Sequence, residues 1–407
     1  MSSKSNIIVG LDIGTTNVSI VVADCSEDKP RLLGYGQSPS LGLRKGVVIN
    51  IESTVESITK AVAEAESSSG IEISSVYTSI GGGHIKSFNS HGIVAIKGRE
   101  VSEHDIDRVI DAAKAVAIPP DREILHVLPQ EFIIDSQDGI KEPLGMSGVR
   151  LETKVHVISG AVTSAQNVVK CANRCGLNVK DIVFAPLAAA EAVFTPEEKE
   201  LGACLIDIGG GTTDLIIFYR GAVRHSSVLT VGGSHITGDI ASGLRTPVLA
   251  AEGIKIQHGI ALASGIRADE VIEVPSTGGR PARALSRQIL SEIIQPRMEE
   301  IVSLVQREIY SAGCDEMITA GIILCGGGSL LRGTTEIVQQ VFNLPVRIGT
   351  LNMAGGEKIR ARADLATALG LISYGTKVRT YARFHTQNES MFHGFLRRVN
   401  EWFGDHD

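Results

Sequence analysis

The stretch that decides the fold is CLIDIGGGTTDLIIF, Cys204 to Phe218. Apolar, often β-branched residues lie on both sides of a turn of glycine and threonine, and one aspartate precedes the turn, as expected for a hairpin. A second stretch near the start of the chain, IIVGLDIGTTNVSIVVAD (Ile7 to Asp24), has the same pattern. The sequence therefore predicts two hairpins of similar design.

Both turns have the composition of a phosphate-binding loop. Small residues let successive backbone N–H groups converge on one point, and glycine permits an approach that a Cβ atom would block. Asp12 and Asp207 directly precede the turns and are predicted to hold Mg²⁺ through its waters. Either turn alone could be purely structural, but two with matching aspartates favour one nucleotide clamped between two similar halves. The predicted phosphate-binding residues are Gly14, Thr15, Thr16, Asn17, Gly209, Gly210, Gly211, Thr212 and Thr213.

Length and composition are those of a globular protein with more than one domain. The chain has 407 residues, 43% hydrophobic and 21% charged, with a net charge of -7. This length exceeds what a single core usually supports. The charge balance, without a long basic block, argues against nucleic acid as a partner. The first residues, MSSKSNIIVG, lack the features of a signal peptide, and no run is long enough for a spanning helix, so a cytoplasmic location is expected.

The cysteines do not indicate a disulfide framework, because the six are scattered through a long chain. Cys171 and Cys175 lie one helical turn apart, which suits either a metal ion or a buried helix face. No companion cluster of Cys or His follows, and this favours the buried face.

Further motifs follow the hairpins in an order known from one superfamily. LDIGTTN and LIDIGGGTTD resemble the two phosphate motifs of the actin, sugar-kinase and DnaK-type chaperone superfamily. VGGSHITGDIA, AEGIKIQHG, GIILCGGGSLLRG and ADLATALGLISYG resemble its next glycine turn, its adenosine-contacting helix, its adenosine loop and its last helix. The resemblance implies an α/β, actin-like fold of two lobes that hold ATP and Mg²⁺ between them. It also implies nucleotide contacts from Gly232, Gly233, Glu252, Lys255, Gly326, Gly327, Gly328 and Ser329.

Two segments resemble the FtsA family of bacterial cell-division proteins within that superfamily. After Gly81–Gly83 the chain contains GIVAI, a predicted helix from Ser102 to Ala117 with a Ser-x-x-Asp capping signal, and HVLPQEFIID. This β-α-β-β composition is similar to the extra α+β subdomain of FtsA. The segment PSTGGRPARALSRQILSEIIQPR is similar to another FtsA segment, which implies that its arginines bind the acidic tail of the tubulin-like protein FtsZ. From spacing alone, a solvated helix start would be favoured. The arginines are Arg280, Arg283 and Arg287.

The chain ends in a polar stretch, TKVRTYARFHTQNES, and a predicted amphipathic helix, MFHGFLRRVNEWF. At helical spacing its apolar residues fall within an arc of roughly 140°. Such a helix could pack on the protein's own core, but the linker, the aromatic residues and the flanking arginines favour a membrane interface. FtsA ends in the same arrangement. The apolar residues are Met391, Phe392, Phe395, Leu396, Val399, Trp402 and Phe403.

The resemblance implies a peripheral protein on the cytoplasmic side of the cell membrane at the division site. Such a protein forms filaments with itself, anchors FtsZ filaments of the Z-ring and recruits later division proteins through the inserted subdomain. The predicted domain boundaries are 6–83 (lobe 1, first part), 84–160 (inserted subdomain), 161–195 (lobe 1, return), 196–230 (lobe 2 core, first part), 231–302 (lobe 2 outer subdomain), 303–360 (lobe 2 core, second part), 361–375 (lobe 1 closing helix), 376–390 (flexible linker) and 391–407 (membrane-targeting helix).

Three other classes fit the sequence less well. A sugar kinase needs a carboxylate base and a polar substrate cleft, and no residues nominate them. A DnaK-type chaperone needs a peptide-binding domain after the ATPase core, for which too few residues remain. A pilus-assembly relative shares the fold and the insertion, but the terminal helix and the arginine segment argue against it.

One departure from DnaK-type chaperones bears on catalysis. Those chaperones carry a glutamate before the proline that begins the helix between the hairpins, whereas this chain has Ala185 there. Glu191, two turns further on, is a poorly placed substitute. An unoriented water slows hydrolysis, so the sequence predicts an ATP-binding protein with at most weak ATPase activity.

Overall fold

The computed structural model describes residues 6–384, apart from residues 28, 265, 268 and 279, with only the backbone for residues 379–384. Its strands are β1 (Ile7–Ile13), β2 (Asn17–Asp24), β3 (Arg31–Pro39), β4 (Leu43–Arg44), β5 (Val47–Val48), β6 (Ser75–Ile80), β7 (Lys86–Ala95), β8 (Arg122–Ile134), β9 (Gln137–Ile140), β10 (Arg150–Ala161), β11 (Asn178–Phe184), β12 (Ala203–Ile208), β13 (Thr213–Tyr219), β14 (Ala222–Leu229), β15 (Val271–Val274), β16 (Arg283–Ser286), β17 (Gly321–Cys325) and β18 (Val346–Ile348). Its helices are α1 (Ile51–Ser69), α2 (Glu103–Lys114), α3 (Val162–Arg174), α4 (Ala185–Val193), α5 (Pro196–Leu201), α6 (Gly233–Leu244), α7 (Val248–His258), α8 (Arg287–Ser311), α9 (Thr334–Phe342) and α10 (Ala366–Phe384).

Two five-stranded sheets with the same topology form the centres of two lobes. The strand order is β11-β6-β1-β2-β3 in lobe 1 and β18-β17-β12-β13-β14 in lobe 2. In each sheet three consecutive strands form an antiparallel meander, a fourth strand pairs in parallel with the first of them, and a fifth pairs in parallel with the fourth. The two hairpins predicted from the sequence, β1–β2 and β12–β13, therefore occupy equivalent places in the two lobes.

The central strands are buried on both faces, which explains their nearly continuous apolar sequences. Every residue of β2 between Asn17 and Asp24 is buried, and β13 is buried from Thr213 to Phe218. In lobe 1, helices α1 and α3 enclose a core with β1 and β2. In lobe 2, helices α6 and α8 enclose a second core with one face of the hairpin β12–β13. Cys171 is fully buried in the lobe 1 core, and Cys175 is half-buried at its edge.

Helices α4 and α10 cross in the space between the two sheets. The crossing is so close that a Cβ atom on Gly370 would lie 1.7 Å from the Ala188 carbonyl oxygen, so glycine is required there. Helix α10 continues to Phe384, whereas the sequence predicted that a linker begins at residue 376. The added turns contain no glycine or proline to end the helix, and Lys377 pairs with Glu191 of α4. Residues 385–390 of the predicted linker and the predicted helix at 391–407 lie outside the described residues.

The chain between β6 and α3 forms a separate sheet with the order β7-β10-β8-β9. Helix α2 covers one face of this sheet. Ser102 and Asp105 form the capping box that the Ser-x-x-Asp signal predicts, although the helix ends at Lys114 and not at Ala117. Strand β7 pairs along its whole length with β10, so the chain leaves lobe 1 and returns to it on neighbouring strands.

This insertion also contacts lobe 2, through buried polar groups that face β14. The His156 ring lies between two partners, 2.7 Å from Asn89 Oδ1 through Nδ1 and 2.9 Å from Ser226 Oγ through Nε2. Gln130 Nε2 donates to the Val223 carbonyl over 2.8 Å. Burial lowers the pKa of His156 to about 3, so the ring is neutral, with one nitrogen able to donate and the other to accept. The insertion is therefore bound to both lobes.

No helix among the described residues combines the length and apolarity required to cross a membrane.

Candidate functional site

The turns of the two hairpins meet between the lobes. They have the same internal hydrogen bond, from Gly14 N to Asn17 O and from Gly209 N to Thr212 O, each over 3.0 Å. A Cβ atom on Gly210 would lie only 1.8 Å from the hydroxyl oxygen of Thr16, so the second turn must be free of side chains to approach the first. The structure thus brings the two predicted phosphate loops together.

Asp12 and Asp207 lie at the base of these turns as half-buried neighbours. Ser79 Oγ donates to Asp12 Oδ1 over 2.6 Å. Burial raises the pKa of Asp12 to about 6. Burial and then the charge of Asp12 raise the pKa of Asp207 to about 7. Because burial disfavours the charged form of both carboxylates, and the charge of Asp12 further disfavours that of Asp207, a divalent cation near both would stabilise the charged forms.

The candidate cation site has no complete protein cage among the described residues. In the described ranges, no group of three or more His, Cys, Asp or Glu side chains is arranged to hold a metal ion. Two carboxylates with waters and phosphate oxygens are nevertheless the usual surroundings of Mg²⁺ in nucleotide sites. Asp12 and Asp207 would therefore hold Mg²⁺ together with a bound phosphate group.

Asp214 is a third carboxylate of this site, and the sequence reasoning did not assign it a role. It lies on β13, buried, and its Oδ1 has no hydrogen-bond partner in the part of the chain that the structure describes. Burial and then the charge of Asp207 raise its pKa well above the ordinary value. An unpartnered buried carboxyl oxygen is costly, so the site fits a ligand or cation that would contact it. In the sequence, the position of Asp214 at the end of the motif LIDIGGGTTD was the signal that could have identified it.

The glycine turn at Gly232 and Gly233 packs directly on the second phosphate loop. Gly233 N donates to Gly209 O over 2.9 Å, and an added Cβ atom on Gly232 would lie 2.6 Å from the same oxygen. Thr213 Oγ1 donates to the Val231 carbonyl over 2.8 Å. Thr213, the first residue of β13, therefore uses its hydroxyl to hold this turn.

Glu252 and Lys255 form an ion pair on α7 that faces the same glycine turn. Lys255 Nζ lies 2.7 Å from Glu252 Oε2 and donates to Gly233 O over 3.1 Å. The Thr237 hydroxyl also donates to the Glu252 carboxylate. The pair is thus fixed beside the second phosphate loop, where the resemblance places an adenosine contact.

The predicted adenosine loop follows β17 and packs against the end of β12. A Cβ atom on Gly326 would lie 2.2 Å from Asp207 Oδ1, and one on Gly328 would lie 2.4 Å from Ile208 Cγ2. A Cβ atom on the neighbouring Gly327 would have no other atom within 4 Å, so this side of the loop is open to a ligand. Ser329 is buried and donates to Gly326 O over 2.7 Å, which shapes the loop.

The three predicted partner-binding arginines differ in their surroundings. Arg287, at the start of α8, donates through Nη1 to Glu270 Oε2 over 2.6 Å and through Nε to His258 O over 2.8 Å. Arg283, at the start of β16, donates to the Leu244 carbonyl but is exposed, as is Arg280. Arg287 is therefore engaged within the lobe 2 outer subdomain, and the other two offer accessible charge.

Sequence comparison identifies the family. A family model described as "SHS2 domain inserted in FTSA" matches residues 82–159, and one described as "Cell division protein FtsA" matches residues 204–370. The cell division protein FtsA of Pseudomonas aeruginosa is 51% identical over 374 residues, which cover 91% of this chain and 90% of that protein. The chain belongs to the FtsA family of cell division proteins. FtsA of Escherichia coli strain K12 is 40% identical over 412 residues, 98% of each chain.

Solved structures agree with the FtsA assignment at the level of the fold. MreB 5 of Spiroplasma citri bound to AMPPNP has a TM-score of 0.57 at 16% identity and covers 94% of this chain and 99% of its own. A chain of the PilM-PilN type IV pilus biogenesis complex has a TM-score of 0.66 at 18% identity, with 91% and 98% covered. These similarities confirm the predicted actin-like fold with an inserted subdomain. The identity to FtsA proteins, far above that to the pilus protein, confirms the family.

Proposed function

We propose that this chain is an ATP-binding scaffold of the division machinery that polymerises at the inner face of the cytoplasmic membrane. In this proposal it anchors FtsZ filaments to the membrane and helps to recruit later division proteins. The family supports a role in division. The observation that supports nucleotide binding is the meeting of two matched glycine turns above Asp12, Asp207 and the unpartnered Asp214.

ATP would lie between the lobes with its phosphates against both turns and its adenosine near Glu252, Lys255 and Gly327. Backbone N–H groups of the turns would bind phosphate oxygens, and Asp12 and Asp207 would hold Mg²⁺. The bound Mg²⁺ would offset the negative charge of the carboxylates. The phosphate oxygens would accept hydrogen bonds from the N–H groups of the turns. Closure of the lobes around ATP would then fix one conformation for assembly.

The test of this site is Gly210→Val, measured by calorimetric titration of the purified protein with Mg-ATP. A side chain at this position meets Thr16, so the turns can no longer approach and binding should be lost. Gly238→Ala on α6 is the matched control, because an added Cβ atom there meets nothing within 4 Å. Wild-type affinity in Gly210→Val would refute the two-loop site.

Hydrolysis in this proposal is slow. Ala185 begins α4 without a carboxylate, and Glu191 is held by Lys199 at 2.8 Å and by Lys377. In this proposal Asp214 orients the attacking water instead, since Asp214 and Ala185 both lie 3.8 Å from the position of a Cβ atom on Gly81. Turnover should remain low in wild type and fall further in Asp214→Asn, measured as phosphate release at saturating ATP. An unchanged rate in Asp214→Asn would show that Asp214 does not orient the water.

Binding to FtsZ is assigned to the lobe 2 outer subdomain. Arg280 and Arg283 offer exposed guanidinium groups that pair well with the carboxylates of an acidic tail.

Membrane attachment is assigned to the predicted terminal helix with Trp402 and Phe403. Contacts with later division proteins are assigned to the insertion. The FtsZ assignment is tested by charge reversal at Arg280 and Arg283, and the membrane assignment by a charge introduced at Trp402. The assignment to the insertion is tested by replacing its exposed Ile93 and Val149 with serine. Unchanged recruitment of later division proteins would move their site elsewhere.

A further inference from the structure

A short hairpin in lobe 1 touches the phosphate turns of both lobes. The hairpin is formed by β4 and β5, with Lys45 and Gly46 at its tip. Gly46 N donates to the hydroxyl of Thr15 in the first turn over 2.9 Å. A Cβ atom on Gly211 in the second turn would lie 3.0 Å from the Lys45 Cα atom. The backbone of Lys45 is therefore in van der Waals contact with the second turn.

The tip has an unusual backbone conformation. Lys45 has a φ of 51°, in the left-handed region that side chains with a Cβ atom rarely adopt, and Gly46 follows with a φ of 76°. Gly46 packs against Gly82, where an added Cβ atom would lie 2.7 Å from the Gly82 Cα atom. Glycine would adopt the Lys45 conformation with less strain, so packing alone does not account for a lysine at this position.

The charge of Lys45 is available to a ligand. The residue is exposed, and in the part of the chain that the structure describes no carboxylate lies within ion-pair distance of its ammonium group. Lys255, also near the second turn, is already paired with Glu252. A flexible four-carbon stem carries the Lys45 ammonium, and phosphate is a usual partner of such a group.

Lys45 lies toward the phosphate end of the cleft. The adenosine loop approaches the second hairpin at Ile208, where a Cβ atom on Gly328 would meet the Ile208 side chain. Lys45 approaches the same hairpin three positions later, at Gly211, and also contacts the first turn through Gly46. A nucleotide with its base beside the adenosine loop would thus extend its phosphates toward Lys45.

We infer that Lys45 binds the terminal phosphate of the nucleotide and makes the site prefer a triphosphate to a diphosphate. This inference rests on the proposed nucleotide site. Because the hairpin belongs to lobe 1 and contacts the turn of lobe 2, a phosphate held by Lys45 is bound by both lobes at once. Loss of that phosphate would remove the contact and weaken the connection between the lobes.

The experiment compares the affinities of purified full-length protein for Mg-ATP and Mg-ADP by calorimetric titration. Lys45→Gly removes the charge and suits the positive φ, so the variant should unfold at the wild-type temperature or above it. Its affinity for Mg-ATP should fall about tenfold or more, as for loss of a charged hydrogen bond. Its affinity for Mg-ADP should stay within about twofold of wild type.

Two further variants serve as controls. Lys45→Arg keeps the charge and should restore most of the preference for Mg-ATP, while Lys60→Ala removes an exposed lysine of α1 and should change neither affinity. Wild-type affinity for both nucleotides in Lys45→Gly, or an equal loss of both, would overturn the inference. If the wild-type protein binds neither nucleotide, the proposed nucleotide site itself is wrong.

Discussion

At the scale of single residues, three aspartates lie together between the lobes, Asp214 buried and Asp12 and Asp207 half-buried. Asp12 and Asp207 could be predicted from the sequence because each lies two residues before the first glycine of a turn. Asp214 was missed because it follows the turn and lies within an apolar strand, where no spacing rule separates a ligand-facing residue from a core residue. Its assignment required the absence of a hydrogen-bond partner for its Oδ1 atom within the described structure.

These aspartates predict how stability depends on pH when no cation is bound. Their pKa values are raised above the ordinary value of 3.8, to about 6 for Asp12 and about 7 for Asp207. Between about pH 4 and pH 7 the folded chain therefore holds more protons than the unfolded chain. The contribution of both groups to the free energy of unfolding falls as the pH rises through this range.

Thermal unfolding between about pH 5 and pH 8 measures this effect. Asp207→Asn should flatten the decline in stability that wild type shows toward higher pH. Mg-ATP should raise the unfolding temperature more at about pH 8 than at about pH 5, because bound Mg²⁺ favours the ionised carboxylates. The same pH profile in wild type and Asp207→Asn would contradict this account.

At the scale of elements, the crossing of α4 and α10 depends on one glycine. Gly370→Ala places a Cβ atom 1.7 Å from the Ala188 carbonyl oxygen, so the helices must separate. The free energy of unfolding, measured with urea, should fall by about 1–3 kcal/mol. Gly238→Ala, also within a helix but in open space, should raise it by about 0.5–1 kcal/mol. Similar values for the two variants would mean that the crossing tolerates a side chain.

The arginine segment gives a second prediction for elements. Arg280→Glu and Arg283→Glu should each weaken binding to an acidic peptide that represents the FtsZ tail, and higher salt should weaken wild-type binding. Arg287→Glu should mainly lower the thermal stability, because it places two carboxylates together at Glu270. Fluorescence anisotropy of the labelled peptide measures the first effect. Unchanged affinity in both exposed-arginine variants would move the partner site to another surface.

Helices and strands could be predicted from the sequence where turn or capping residues mark their ends. The hairpins were visible because buried strands and glycine turns alternate within a few residues, and α2 begins at its Ser102 cap. The length of α10 was not visible in its polar sequence, because Lys377 in the extended part pairs with Glu191 of α4, a residue far away along the chain. The contacts of the insertion with β14 join residues far apart in sequence and leave no periodic pattern to read.

At the scale of the whole molecule, membrane attachment should depend on assembly. A single terminal helix would bury its apolar residues only partly in the interface, and Gly394 lowers its helical preference. Many copies of the predicted helix on one filament would bind far more tightly, since each further helix would insert at a high effective concentration. Binding to vesicles should therefore increase with ATP-dependent polymerisation.

Trp402→Glu tests this coupling by placing a charge within the apolar arc. The variant should fail to float with lipid vesicles while it binds Mg-ATP as wild type does. Arg398→Gln changes the polar side of the same helix and should reduce flotation less. Flotation of Trp402→Glu at the wild-type level would show that this helix is not the anchor.

The polar contact between the insertion and β14 has a mechanical consequence. The insertion is joined covalently to lobe 1 through β7 and β10, and it is hydrogen-bonded to lobe 2 through Gln130 and His156. A body attached at two points cannot keep its orientation while those points rotate relative to each other. When the cleft opens, either the insertion tilts with lobe 2 or the bonds of His156 and Gln130 break. As long as these bonds hold, a change in the angle between the lobes would therefore also turn the outer surface of the insertion.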